Sequence, residues 1–150
     1  MYTSETTRAL LRERGDEVRR LTLAAIRDPA TREAVASTQW VSGNRTFRLE
    51  NGLTLADGSA QVVFPGAAHS PDNVVVYFPR HRVLFGGCMV RAANTLGNTS
   101  DADLTAWPRA VERLRTLPAD FVIPGHGEQF DAELIEGTRR LFTSGQASAQ

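Results

Sequence analysis

The sequence is poor in features that would announce a function. It has one cysteine, Cys88, in 150 residues. No internal disulfide can therefore form, and cysteine usage points to neither an oxidising nor a reducing compartment. It has no surplus of charge: 17 Lys and Arg stand against 17 Asp and Glu, which removes the electrostatic footprint of a nucleic-acid or polybasic membrane binder. No run of about 18 apolar residues is present, so no membrane-spanning helix is expected. Met1 to Arg14 is polar and charged where a secretory signal would carry an apolar stretch. The chain as given thus bears no address for export, which leaves its compartment cytoplasmic or unassigned. A P-loop, a dinucleotide Gly-x-Gly-x-x-Gly and a Gly-x-Ser-x-Gly elbow are also missing.

What remains is the composition of a folded protein. Apolar residues make up 41% and there are 12 glycines, and a chain of this length buries enough surface for one core but is cramped for two. Apolar positions from Ala9 to Ile26 recur at helical intervals, and the spacing predicts two helices broken at Gly15-Asp16, with Ser4 as an N-cap. Asp28-Pro29 ends the run, and a short helix over Thr31 to Ala36 follows. Asn51-Gly52 predicts a hairpin joining Arg45–Leu49 to Leu53–Ala56, with a second turn at Asp57-Gly58. Val74–Phe78 reads as a strand covered on both faces, Arg82–Phe85 and Phe121–Ile123 as further strands. Helices are expected over Asp101–Leu117 and Asp131–Phe142, and a small, polar, frayed tail over Thr143–Gln150. Strands alternating with helices over Gln61 to Phe142 indicate a layered arrangement of helix and sheet.

Three residues of metal-binding type end predicted strands, each beside glycine: His69 in Pro-Gly-Ala-Ala-His-Ser-Pro, Cys88 in Phe-Gly-Gly-Cys-Met, and His126 in Ile-Pro-Gly-His-Gly. Glycine lets a backbone turn sharply and approach closely, so short strands can deliver such side chains to a shared pocket. Separations of 19 and 38 residues are too long for a zinc finger, and any joint site must be assembled by the fold. Taken singly, each histidine could satisfy a turn and the cysteine could be a small buried hydrophobe. Jointly, a thiolate with two imidazoles suits zinc, and three protein ligands with an open position is the composition of a catalytic site. A cysteine nucleophile with a histidine base is the competing use of the same atoms.

At these residues the chain resembles a known family. Pro65–Tyr77 around His69, Val83–Arg91 around Cys88, Leu96–Pro108 around Asn98, and Val122–Gly127 around His126 are similar to the carboxy-terminal half of class B metallo-β-lactamases, in the dizinc subclass with a cysteine ligand. Other hydrolases of the superfamily usually carry aspartate where Gly-Gly-Cys stands here. The resemblance is strong over residues 61–142 and weaker over 1–60, a helical and hairpin remnant, with 143–150 as tail. It implies one partial domain with an α+β fold, an incomplete αβ/βα sandwich holding its metals at one edge between two sheets.

The resemblance also implies a function: hydrolysis of the β-lactam amide by zinc-bound hydroxide, in the bacterial periplasm for complete members. It makes His69 a ligand of the first zinc and Cys88 and His126 ligands of the second. Asn98 would assist the lactam carbonyl, and Arg91 stands where many members place the lysine that holds the substrate carboxylate. Loop capping is the alternative for Asn98, and a solvated charge for Arg91. Asp72 reads as structural and His81 as a surface residue.

The family's His-x-His-x-Asp motif, which supplies the other three ligands, does not occur in these 150 residues, whose only histidines are His69, His81 and His126. At most one weakly held zinc, in an open three-ligand geometry, is therefore expected, with no catalytic group beyond the metal ligands. The rival expectation is a non-catalytic metal- or partner-binding remnant. An open sheet edge and an apolar face predict self-association.

Overall fold

In the computed structural model, which describes residues 1–143, the chain forms two compact units, Met1–Arg48 and Leu49 onward. The expected tail beyond Thr143 lies outside the described residues.

The first unit contains β1 (Tyr2–Ser4), α1 (Glu5–Ala25), α2 (Pro29–Ser37) and β2 (Arg45–Phe47). The two strands pair in parallel, Tyr2 opposite Arg45 and Ser4 opposite Phe47. Ser4 caps α1 as expected, its Oγ accepting from the Thr7 N–H at 2.9 Å. The break expected at Gly15-Asp16 is absent, and α1 runs 21 residues through it. A helical glycine costs only about 1 kcal/mol relative to alanine, less than ending one helix and nucleating another. The helix stops before Asp28-Pro29. There Asp28 caps α2 through Thr31 N–H at 2.7 Å, and these hydrogen bonds to Thr31 hold its carboxyl below the usual range.

The second unit is a five-stranded sheet in the order β3-β4-β5-β6-β7, comprising Leu53–Leu55, Ala60–Val63, Val75–Phe78, Val83–Gly87 and Phe121–Pro124. β3 to β6 are antiparallel neighbours, whereas β6 and β7 are parallel. The hairpin expected at Asn51-Gly52 does not form. β2 pairs with β1 instead, residues 49–51 make a single 3-10 turn, and Gly52, at φ +62°, passes so close to the Val62 carbonyl that a Cβ would stand 2.4 Å from it. The turn signal is real, but it steers the chain into β3. The expected Asp57-Gly58 turn does connect β3 to β4, with Asp57 at φ +55° and Gly58 at φ +91°.

Helices α3 (Trp107–Leu114) and α4 (Glu133–Thr143) cover one face of this sheet. α3 is shorter than the spacing predicts because Asp103 Oδ1 takes the N–H groups of Thr105 and Ala106 at 3.0 and 2.8 Å, which holds a turn ahead of Pro108. Val75, Tyr77, Leu84 and Val122 point to the helices and pack with Trp107, Val111, Leu114 and Leu141 in one core. Alternation on β5 leaves Val76 and Phe78 on the other face only half-buried, so β5 is fully covered on one face, not on both as its apolar run suggests. Phe85 and Phe121 lie on that second face, 42% and 55% exposed. At the start of the parallel pair, Arg82 donates to both oxygens of Asp120 at 2.7 and 2.8 Å. Both side chains are half-exposed, so this fork sets register more than it adds stability.

Candidate metal centre

The topology explains how residues 38 positions apart can meet. Cys88 directly follows β6 and His126 follows β7, and because these neighbours run parallel, both loops leave the same end of the sheet. Cys88 Sγ lies 3.6 Å from His126 Nε2. The approach depends on Gly125, where a Cβ would fall 2.7 Å from the Cys88 nitrogen and 2.8 Å from its sulfur. Gly86 is under the same constraint, since a Cβ there would meet Val90 at 2.4 Å. The glycines flagged by the sequence thus make room for the pair.

His69 comes from the loop between β4 and β5, which opens at the same end because β5 runs antiparallel to β6. Its ring meets Trp107 edge-on at 5.5 Å, and its Nδ1 is buried without a hydrogen-bond partner. Burial and the Arg91 charge push its pKa down, Asp101 partly opposing and His126 adding a smaller decrease. A lowered pKa favours neutral imidazole, the form that can ligate a metal.

Two tetrahedral zinc ligands of thiolate and imidazole type stand roughly 3.5 Å apart, given bond lengths of about 2.3 and 2.05 Å. The Cys88–His126 separation fits that geometry, and their chemistry fits zinc. Among the described residues no group of three or more His, Cys, Asp or Glu is placed to hold a metal. The structure brings Cys88 and His126 into contact, and His69 reaches the same end of the sheet from the β4–β5 loop.

The other candidate residues fall in the loops around this edge. Asn98 is exposed, and its Oδ1 accepts from Ser100 N–H at 3.0 Å, so it caps its own loop. Arg91 is half-buried, its Nε donating to the Thr95 carbonyl at 3.2 Å and its guanidinium lying against Gly97. Asp72 accepts from Ser70 Oγ at 3.0 Å within the turn after His69. His81 is exposed in the β5–β6 turn.

Sequence reasoning did not single out the groups that fix the Cys88–Arg91 loop. Trp107 Nε1 donates to the Met89 carbonyl at 2.9 Å. Fully buried Thr138 accepts the Arg91 N–H at 2.8 Å and donates to the Leu134 carbonyl at 2.7 Å. Asn73 joins the His69 loop to this one, donating to the Gly66 carbonyl at 3.1 Å and contacting Met89 sulfur at 3.6 Å. The signal for Thr138 was its place on the apolar stripe of α4 beside Leu134, Ile135 and Leu141. Thr138→Val is expected to destabilise the chain by about 1–3 kcal/mol through the orphaned Arg91 N–H. Thr138→Ser should recover most of the loss. Urea unfolding of the three proteins checks this.

A mixed sheet backed by helices on one face, with a thiol and an imidazole joined at the exits of two parallel strands, defines an α+β protein. Comparison with known proteins narrows that class. The family model described as "Metallo-beta-lactamase superfamily" matches residues 5–126, and the chain belongs to that superfamily. A metallo-beta-lactamase type 2 of Bacteroides fragilis is 42% identical over 85 residues, covering 54% of this chain and 34% of the relative. One from Pseudomonas aeruginosa is 34% identical over 110 residues, 72% of this chain and 44% of the relative. Among solved structures, DIM-1 metallo-beta-lactamase exposed to ceftazidime superposes with a TM-score of 0.74 at 31% identity, over 95% of this chain and 56% of that one. A metallo-beta-lactamase from Pontibacter korlensis gives 0.63 at 39% identity, over 77% and 56%. The chain therefore spans less than half the length of these curated relatives. No helix among the described residues is long and apolar enough to cross a membrane.

Proposed function

We propose that this chain carries one wall of a zinc-dependent β-lactam hydrolase site. Cys88 and His126 would hold the second zinc and His69 the first, with Asn98 directed to the lactam carbonyl and Arg91 to the substrate carboxylate. The observation that carries the reading is the 3.6 Å contact between Cys88 and His126, the two residues that the family resemblance puts on one metal. Zinc in such a site supplies Lewis acidity and an activated water. The whole chain is one incomplete domain of the fold, and its complete form acts in the periplasm. Hydrolysis is expected to need the other three ligands that the resemblance implies, which are not among these 150 residues.

The second reading is a metal- or partner-binding remnant without hydrolysis, favoured by the absence of a three-donor group among the described residues. Metal titration of the chain tests the first reading, and a chromogenic β-lactam assayed once the absent ligands are supplied separates the two. The hydrolase-wall reading expects cobalt to give a thiolate-to-metal charge-transfer band that Cys88→Ala removes, with weak zinc retention after dialysis. No band at saturating cobalt would sink it.

Self-association belongs to the same proposal. The second sheet face carries Val62, Val76, Phe78, Phe85, Phe121 and Ile123, a contiguous apolar surface of the kind that marks an interface. The chain is expected to elute above monomer size in gel filtration, and Phe121→Glu to shift it toward monomer.

A further inference from the structure

The first unit contains a cleft that the hydrolase reading does not use. It encloses about 700 Å³ between one face of α1 and the segment from Thr38 to Ser42, a volume within the usual range of small-molecule sites. Its α1 wall carries Arg8, Arg12 and Arg19, with Leu11 between them, and its other wall carries Trp40 and Val41.

The three guanidinium groups differ in how they are held. Arg8 donates to the Gly43 carbonyl at 2.5 Å, yet its Nε is buried without a partner. Arg19 donates to the Ala36 carbonyl and lies over the Trp40 ring, 5.9 Å from its centroid. Arg12 makes no hydrogen bond or ion pair with any described residue, although Asp16 sits one turn away on the same wall. Backbone carbonyls thus orient the outer two arginines and consume only part of their donors. The concavity faces three cations against one carboxylate.

Arg12, and the N–H groups of Arg8 and Arg19 that no backbone carbonyl takes, leave donors on this wall for an incoming oxyanion. Guanidinium forks match carboxylate and phosphate groups with paired donors. The flanking surface is apolar and aromatic: Trp40 is 37% exposed and Val41 60% exposed, and an indole face accepts a planar partner.

We propose that this cleft binds a small organic anion, a carboxylate or phosphate group carried on an aromatic body, with the oxyanion on Arg8 and Arg12 and the ring against Trp40. The proposal stands on the first unit alone and does not depend on metal or hydrolysis.

The chain has two tryptophans, so its ¹H–¹⁵N spectrum shows two indole signals, and Trp40→Phe assigns them. Titration of the full chain with phenyl phosphate and with benzoate is expected to move the Trp40 indole signal saturably, leaving Trp107, buried in the second unit, in place. Comparing the two probes shows which oxyanion source the cleft prefers. Arg12→Gln, which removes no hydrogen bond or ion pair among the described residues, should weaken binding at least tenfold while the Trp107 signal reports an intact fold. Absence of a saturable shift with both probes would overturn the site, as would unchanged affinity in Arg12→Gln. Inorganic phosphate binding as tightly as phenyl phosphate, or benzyl alcohol binding as tightly as benzoate, would overturn the assigned chemistry.

Discussion

Trp107→Ala is expected to lower the stability of the second unit by about 4–8 kcal/mol, combining roughly 3–5 kcal/mol for an emptied aromatic site with about 1–3 kcal/mol for an orphaned buried carbonyl. Small domains are stable by only about 5–15 kcal/mol, so the variant should be largely unfolded at moderate temperature. Trp107 is fully buried, and it joins three things at once. Its ring contacts His69 and Phe142 at 5.5 Å each, and its indole N–H holds the Met89 carbonyl next to Cys88. Trp107→Phe separates the contributions, since it keeps most of the volume and loses the hydrogen bond. It should cost about 1–3 kcal/mol and raise the rate at which a disulfide reagent modifies Cys88. Equal thiol reactivity in Trp107→Phe and the unaltered chain would show that the bond does not restrain the Cys88 loop.

That connection between core and site shows where sequence reading ends. His69, Cys88 and His126 were legible because each sits beside glycine at a strand end, and a sequence shows both the residue type and the local geometry it needs. Which of them meet was not legible in their spacing; only the family resemblance put Cys88 and His126 on one metal. The pairing of Cys88 with His126 follows from β6 and β7 being parallel neighbours, a fact about sheet order that no local pattern encodes. The turn at Asn51-Gly52 was recognised correctly and its partners were not, because positive φ at Gly52 says that the chain turns and not which strand it turns toward. Gly15 misled in the opposite way: a modest local penalty was read as a break, whereas 21 residues of helix absorb it. Thr138 was hidden because its polar group is used inside an apolar stripe. The arginines of α1 were lost in a balanced total charge, since their concentration on one wall appears only once the helix is continuous and Trp40 folds against it.

Supplying the absent ligands is expected to produce the largest functional change, from no turnover to measurable hydrolysis. The partner would be a separate polypeptide bearing a His-x-His-x-Asp motif. The argument rests on two surfaces of the second unit. At the sheet's end, Cys88 and His126 are already spaced as two ligands of one ion, so added donors need not reorganise them, and His69 is biased toward the neutral form that ligates. On the sheet's second face, Phe85 and Phe121 remain 42% and 55% exposed, and burying such side chains contributes roughly 1.5–3 kcal/mol each. Assembly should thus be driven by the face and read out at the edge. Phe85→Glu with Phe121→Glu is expected to abolish co-elution of the two pieces and turnover together, because charges would be buried without partners. Cys88→Ala should leave co-elution intact and abolish turnover of a chromogenic β-lactam. If the pieces assemble, take up zinc and remain inert, the hydrolase reading fails at its chemistry while the structural complementarity stands. Turnover without Cys88 would instead place the reaction on ligands that this chain does not provide.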